Sequence, residues 1–293
     1  MNKKKIRFIT NPFSGTKTKA NLNRLIDQHL DLDQFEYEIA YTEGPDHATT
    51  LAAEAVKLGY WAVVSVGGDG TINEISKALV HTKTILGVIP FGSGNGFAYH
   101  LGLKRDVSAA IIAINIGKTE QIDTAMANEI FFVNVAGIGL DARVAYMTKQ
   151  NRFRGFLPYF LTTIKESFRF SFIDFKITTD DKQWQEKYAM VVIANGSYYG
   201  YNFAIAPLAV LNDGLLDVLL FKKAPIYKYI SLVPLMLTKN LIKSPLITYL
   251  RLPSIVLENE TLDYFHADGE GMKQESNKMT FQVHPKSLTI FIK

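Results

Sequence analysis

Short apolar runs recur through the first part of the chain, each separated from the next by an amphipathic stretch. The runs at 6–10, 37–42, 62–66 and 85–89 predict strands, and the patterns between and after them predict helices near 17–30, 47–58, 71–81 and 106–116. Strand and helix alternating in this way predict a parallel α/β domain over residues 1–120. From about residue 121 the pattern changes to strand-like runs at 131–136, 172–178, 188–194, 216–221, 255–257 and 288–292. Helical inserts around 153–170 and 226–242 interrupt them. This second half, 121–285, is expected to be a mainly-β sandwich, and a final strand over about 286–293 can return to the first domain. No proline-rich linker marks the boundary, which predicts domains that clasp a shared cleft rather than swing freely.

Every predicted strand of the first half ends in a loop with chemical potential. The four are Asn11-Pro12-Phe13-Ser14-Gly15, Thr42 to His47, Gly67-Gly68-Asp69-Gly70-Thr71 and Pro90 to Gly96. In an open parallel sheet, ligands bind beyond the carboxyl ends of the strands, so four such loops on one edge point to a site there. The third loop is the most informative. A glycine-rich turn between a buried strand and a helix start lets backbone N–H groups approach phosphate, and the helix dipole favours its charge. Asp69 adds a hard oxygen of the kind that Mg²⁺ selects. No Gly-Lys-Ser/Thr follows, and the spacing is not G-x-G-x-x-G, so neither standard phosphate-loop fingerprint applies. Read alone, the loop also fits a plain tight strand-to-helix turn, and Asn11-Pro12 and Ser14-Gly15 are ordinary turn residues too. In the fourth loop Ser93 and Asn95 offer a hydroxyl and an amide among glycines, as a phosphate cradle requires.

Composition narrows the classes. At 293 residues, with 47% hydrophobic and 20% charged, the chain is an ordinary globular protein of two-domain size. A net charge of +4 is too small to argue for nucleic acid and compatible with an anionic nucleotide or lipid surface. With no cysteine, a disulfide framework and a thiolate site are excluded, which fits a cytoplasmic location. The lysines at 3–5 are followed by no secretory apolar region. The most lipid-like run, 229–237, is far shorter than the roughly 20 residues that span a bilayer, and Pro234 interrupts it.

The ordered set Asn11-Pro-x-Ser-Gly15, Thr42 with His47-Ala48, Gly67-Gly-Asp-Gly-Thr71, Pro90-x-Gly-Ser-Gly-Asn95 and Asp268-Gly-Glu270 resembles the diacylglycerol kinase catalytic-domain superfamily. Within it, size and order are similar to the soluble bacterial lipid kinases, relatives of sphingosine and ceramide kinases. The likeness covers nearly the whole chain. Gly-Gly-Asp-Gly alone also occurs in NAD kinases and phosphofructokinases. The resemblance implies an NAD-kinase-like or phosphofructokinase-like nucleotide domain, a C-terminal β-sandwich, and ATP with Mg²⁺ between them. It places nucleotide contacts on Asn11, Pro12, Phe13, Ser14, Gly15, Thr42, Gly67, Gly68, Asp69, Gly70, Thr71, Ile72, Asn73 and Ser93. Asp69 is expected to manage phosphates and metal. Asp268 and Glu270 form the implied acidic pair, with Glu270 chosen as the base that takes the acceptor hydroxyl's proton and Asp268 as second choice.

A structural Mg²⁺ is implied on Asp213 with the carbonyls of Val210 and Leu215. Asp141 is implied near the acceptor's polar head. On the residues alone, Asp268-Gly269 and Asp213-Gly214 are ordinary turns, Asp141 is a helix cap, and His266 is a packed neighbour. Many diacylglycerol-type members carry Asp after the Asn of the fourth loop, whereas Gly96 stands here; this form leans towards sphingoid acceptors.

The resulting expectation is a phosphotransferase of phospholipid metabolism that meets its lipid peripherally at the inner face of a membrane. A homodimer remains open beside a monomer. Arg152-Phe-Arg-Gly-Phe-Leu-Pro-Tyr-Phe-Leu161, and Lys222-Lys223 before Tyr227-Lys228-Tyr229, mix cations with aromatics as a membrane contact does; core aromatics with solvated cations give the same pattern. Alternatives are an NAD kinase-like enzyme and a non-catalytic nucleotide- or lipid-binding regulator.

Overall fold

A computed structural model of the chain describes residues 3–12, 14, 21–92, 94–103, 106–149, 162–163, 165–166, 171–260, 263–274 and 276–292. It divides into two compact units, Met1–Ile122 with Lys286–Lys293, and Asp123–Pro285.

In the first unit, strands β1 (Lys4–Thr10), β2 (Phe35–Tyr41), β3 (Ala62–Gly67) and β4 (Ile85–Pro90) alternate with helices α1 (Leu22–His29), α2 (His47–Lys57) and α3 (Asp69–Leu79). Helices α4 (Gly96–His100) and α5 (Val107–Ile116) follow β4. The sheet is parallel in the order β4-β3-β1-β2, and Ile290 pairs in parallel with Leu86 on its β4 side. β3 and β4 are buried at every position, as strands with helices on both faces must be. Ile6, Phe8, Ile26, Val64, Val66, Ile111 and Phe291 share one core cluster. Arg7, 6% exposed, turns the other way and is neutralised by Glu38 and Glu54 while donating to the Leu51 carbonyl at 2.9 Å.

The second unit is antiparallel. Its elements are β5 (Thr119–Ala127), β6 (Ile130–Phe132), β7 (Val135–Gly139), α6 (Leu140–Lys149), β8 (Ile173–Thr178), β9 (Gln183–Ala194), β10 (Tyr198–Gly200), β11 (Phe203–Ala204) and β12 (Leu216–Lys222). Then come α7 (Ile226–Ile230), α8 (Leu232–Leu237), β13 (Ile247–Leu252), β14 (Ser254–Glu258), β15 (Tyr264–Ala267), β16 (Glu270–Lys273) and β17 (Lys278–Phe291). The division between the units falls inside β5 and β17.

β9 is the hub, pairing with β7, β8 and β12. Its Val191 and Ile193, with Val218 and Leu220 of β12, enter the sandwich core beside Phe132, Phe175 and Phe281. The alternate residues Val192, Ala194, Leu219 and Phe221 face a second cluster that includes Leu232 and Leu241. Burial on both faces explains why these strands read as unbroken apolar runs.

The fold is the expected one, an α/β layer followed by a β-sandwich, with local corrections. The single strand expected over 131–136 is broken into β6 and β7, because the N–H groups of Val133 to Val135 turn to a side-chain acceptor described below. β5 and β13 carry no clean apolar alternation and are additions to the sequence reading. β17 extends through Pro285, well before the expected start at 288. The insert expected over 226–242 is two short helices and a 3₁₀ turn, Leu241–Lys243. The insert at 153–170 lies almost wholly outside the described residues.

Asp217 on β12 is fully buried. Burial pushes its carboxyl up to about 6 even though Tyr249 Oη donates to Oδ1, and Oδ2 has no hydrogen-bond partner. A folded-state pKa above the unfolded value means the folded protein holds this proton more tightly. Its stabilisation is therefore complete below about pH 4 and lost as the pH rises to about 6. Relative to Asp217→Asn in metal-free buffer, the wild type is expected to lose on the order of 2–3 kcal/mol of stability across that window. Urea unfolding as a function of pH measures this, and equal slopes for the two proteins would contradict it.

Candidate active site

In the first unit, loops from three strands meet at the carboxyl end of the sheet. The Gly67 carbonyl receives the N–H groups of Phe91 at 2.8 Å and Gly92 at 3.0 Å, and Asn11 N–H donates to Val66 at 3.4 Å. Ser14 Oγ closes the first loop on the Asn11 carbonyl at 3.0 Å. Thr42 is buried, and its N–H donates to the Thr10 carbonyl at 3.0 Å.

The loops after β3 and β4 touch backbone to backbone. A Cβ on Gly92 would lie 2.5 Å from Gly68 Cα and 2.6 Å from Asn95 Oδ1, and one on Gly68 would lie 3.2 Å from Gly92 Cα. Asp69 joins the two loops: Oδ2 accepts Gly96 N–H at 3.1 Å and Oδ1 accepts Phe97 N–H at 3.2 Å. Asn95, held at φ +53°, donates through Nδ2 to the Gly92 carbonyl at 2.8 Å, while its buried Oδ1 has no partner. Beyond this junction, burial pushes His100 down to about 4, so its ring is neutral.

Asn11, Gly67, Gly68 and Asp69 are thus brought together with the fourth loop. A Cβ on Gly70 would meet nothing within 4 Å, so the first turn of α3 faces open space. Thr71 packs against Gly67, whose Cβ would fall 2.5 Å from Thr71 Oγ1. Ile72 is fully buried, and its N–H donates to the Gly68 carbonyl at 3.1 Å. Asn73 is half-buried on α3 and Pro12 is exposed. Phe13, Gly15 and Ser93 lie outside the described residues.

In the second unit, β15 and β16 form a hairpin whose two-residue turn is Asp268-Gly269, with φ of +50° and +83°. Both positive angles are those of a type I′ turn. The Asp268 carboxylate accepts three backbone N–H groups, from Val133 at 2.9 Å, Asn134 at 2.8 Å and Val135 at 3.0 Å. Glu270, two residues on, is exposed at the start of β16. The implied pair is therefore not symmetric: one acid is committed to the scaffold and the other reaches solvent. Gly271 brings the hairpin against α6, since its Cβ would lie 2.2 Å from Tyr146 N.

Behind the hairpin, His266 Nε2 lies 3.1 Å from Asp141 Oδ2, which also accepts the Tyr199 hydroxyl at 2.9 Å. Asp141 Oδ1 accepts Ala142 N–H at 2.8 Å in the first turn of α6. All of this is enclosed: Asp141 is 6% and His266 3% exposed. Gly137 leaves room for it, because a Cβ there would fall 2.3 Å from Asp141 Oδ2. His266 is the hydrogen-bonded neighbour that its apolar strand suggests, and both carboxylate oxygens of Asp141 are bonded within the unit. No sequence signal marks Tyr199 as the third member.

The turn at 210–215 differs from the expected metal site. Asp213 Oδ2 is paired with Arg251, and Oδ1 accepts Leu215 N–H at 3.0 Å. The carboxylate is already neutralised by a guanidinium, so the arrangement does not fit a divalent ion. Buried Asp123, absent from the sequence reading, accepts Gly214 N–H at 2.7 Å. Among the described residues, no three His, Cys, Asp or Glu side chains cluster as a metal site.

The asymmetry of the acidic turn has a measurable consequence. Asp268→Ala strands three backbone donors and is expected to cost about 2–4 kcal/mol, whereas Glu270→Gln is expected to stay within about 0.5 kcal/mol of wild type. Chemical denaturation of both variants tests this, and equal stabilities would refute the distinction.

Comparison with known proteins accounts for both units. Residues 5–127 match the family described as diacylglycerol kinase catalytic domain, and residues 134–292 match the YegS C-terminal NAD kinase beta sandwich-like domain. A protein of Staphylococcus saprophyticus named diacylglycerol kinase is 28% identical, covering 98% of this chain and 96% of its own. A probable lipid kinase YegS-like of Klebsiella pneumoniae is 30% identical over 68% of this chain and 67% of its own. Among solved structures, that of a putative diacylglycerol kinase from Bacillus anthracis superposes with a TM-score of 0.80 at 24% identity, covering 99% of this chain and 97% of the other, and so shares the fold. With the two domains matched in order along nearly its whole length, the chain belongs to the bacterial lipid kinase family in which a diacylglycerol kinase catalytic domain precedes a YegS-type β-sandwich.

Proposed function

We propose that this protein transfers the γ-phosphoryl group of ATP, with Mg²⁺, to the hydroxyl of a lipid. The observation that carries the reading is the interlocked loop pair at the start of α3. Gly68 and Gly92 meet without side chains, Asp69 fixes the fourth loop, and Gly70 faces open space. The first N–H groups of a helix have no intrahelical partner, and the dipole there favours negative charge. Such a turn suits phosphates without a lysine.

Phosphoryl transfer asks little covalent work of a protein, so positioning and charge dominate. Mg²⁺ bound with ATP would supply charge neutralisation on the phosphates. Asp69 acts on this reading through the backbone, by holding the loops in place. Glu270 takes the acceptor proton as the new oxygen–phosphorus bond forms and the bond from the γ-phosphorus to the bridging oxygen breaks, leaving ADP and a lipid phosphate. Asp268, with three N–H groups on its carboxylate, is the weaker candidate for that proton.

The names of the relatives support diacylglycerol as acceptor, while Gly96 supports a sphingoid base. No helix among the described residues is long and apolar enough to cross a membrane.

The test incubates pure protein with γ-labelled ATP and Mg²⁺ in parallel with diacylglycerol, a sphingoid base and NAD. Label is expected in a lipid and is expected to fall about 10²-fold or more in Glu270→Gln. Label in NAD alone would replace this reading with an NAD kinase. Gly70→Ala is expected to fold at least as stably as wild type, since alanine favours helix over glycine by roughly 1 kcal/mol, yet to bind ATP more weakly. Undiminished ATP binding in that variant would move the nucleotide away from α3.

A further inference from the structure

Helices α7 and α8 carry apolar side chains on two opposite faces. The inner face is accounted for: Leu232 and the nearby Leu241 are buried, with Tyr229, Leu235, Met236 and Ile242 packed around them. Tyr229 Oη also donates to the Lys222 carbonyl at 2.5 Å, pinning α7 to the end of β12. The outer face has no such partner among the described residues. Tyr227 is 66% exposed, Ile230 67%, Val233 37% and Leu237 49%.

These positions recur at intervals of three and four residues, and Ser231 keeps helical dihedrals (φ −67°, ψ −13°), so α7 leads into α8 with little break. Pro234 does not interrupt α8, because it falls in the first turn where its missing N–H is not needed. Packing therefore explains one stripe and leaves the other facing solvent.

Charge in the segment that carries the stripe is one-sided. Between Asp217 and Glu258 the chain has no acidic residue, while Lys222, Lys223, Lys228, Lys239, Lys243 and Arg251 fall in that interval. Arg251 is paired with Asp213; Lys223, Lys228, Lys239 and Lys243 are exposed. An exposed aliphatic and aromatic stripe among cations, with no acid in the segment, complements the acyl boundary and headgroups of an anionic bilayer.

We propose that the outer face of α7–α8 is the surface by which this protein docks on anionic membranes, with Tyr227, Ile230, Val233 and Leu237 entering the headgroup boundary and the lysines contacting lipid phosphates. The inference rests on the lipid-kinase reading for its purpose and on exposure and charge for its location.

The experiment sediments the full-length protein with vesicles of phosphatidylcholine, with and without phosphatidylglycerol, in the absence of ATP. Binding is expected only to the anionic vesicles and is expected to fall with salt. Ile230→Ser with Leu237→Ser is expected to weaken binding about tenfold or more, and Lys228→Glu with Lys243→Glu by about fivefold or more per lysine. Melting temperatures are expected to be unchanged, since these side chains point outward.

Equal pelleting of variants and wild type, or no pelleting of the wild type, would overturn the proposal. So would a concentration-dependent dimer in sedimentation equilibrium that the serine pair abolishes while leaving vesicle binding intact, since the stripe would then seat a second copy. Phosphorylation of detergent-dispersed diacylglycerol reads the kinase separately. If vesicle binding depends on the stripe but no lipid is phosphorylated, docking stands and the kinase reading falls. If dispersed lipid is phosphorylated while vesicle binding ignores the stripe, the reverse holds.

Discussion

Three backbone N–H groups, from Val133, Asn134 and Val135, converge on the carboxylate of Asp268, and the second unit is organised around that convergence. A charged acceptor makes stronger hydrogen bonds than a carbonyl, and its lone pairs can serve several donors at once. Here it turns the chain between β6 and β7 and sets β7 against β15, with Phe265 opposite Ile138 and Ala267 opposite Ala136. The hairpin that presents Glu270 is fixed by the same bonds. Asp69 plays the matching part in the first unit, where its two oxygens take the N–H groups of Gly96 and Phe97 and hold the loop after β4 to the start of α3.

This use of carboxylates explains the division of work in the proposed reaction. A phosphoryl transferase needs donors held still around a shifting negative charge more than it needs reactive groups. Acids bonded to the backbone supply that stillness in each unit. Of the two acids of the hairpin turn, Glu270 is the one exposed to solvent, which is why the proposed reaction gives it the base's part. Asp141 and His266 add rigidity behind the hairpin, in a space that Gly137 keeps open for them.

Much of the first unit was legible in the sequence because its strands are short apolar runs and its loops follow them directly. Gly67 to Asp69, Gly92 and Asn95 were marked by type and spacing alone. The second unit was less legible for definite reasons. β5 interleaves Thr119, Glu120, Gln121 and Asp123 with its apolar residues, so its pattern does not declare a strand. The break at Val133 to Val135 depends on an acid far along the chain, and so does the pairing of Asp141 with His266. The preference for Glu270 over Asp268 as the base comes from the family resemblance, and the residues alone do not show which of two acids beside a glycine meets the backbone; only folding decides that. The metal role implied for Asp213 comes from the resemblance alone, and its ion-pair partner Arg251 lies on a distant strand that no local pattern connects to it. Ile72 sat inside a nucleotide loop by position, yet the helix turns its side chain into the core.

The contact of Gly68 with Gly92 also bears on how this domain tolerates recombination. Gly92 is required by the backbone of the β3 loop and Gly68 is tightly hemmed by the β4 loop, rather than either by its own conformation, for neither has the positive φ that would demand glycine locally. The two loops therefore behave as one inherited block. A chimaera that takes the β3 loop from one relative and the β4 loop from another tests a joint that neither parent built, and crossovers between residues 68 and 92 carry a steric risk that exchange of the whole segment avoids.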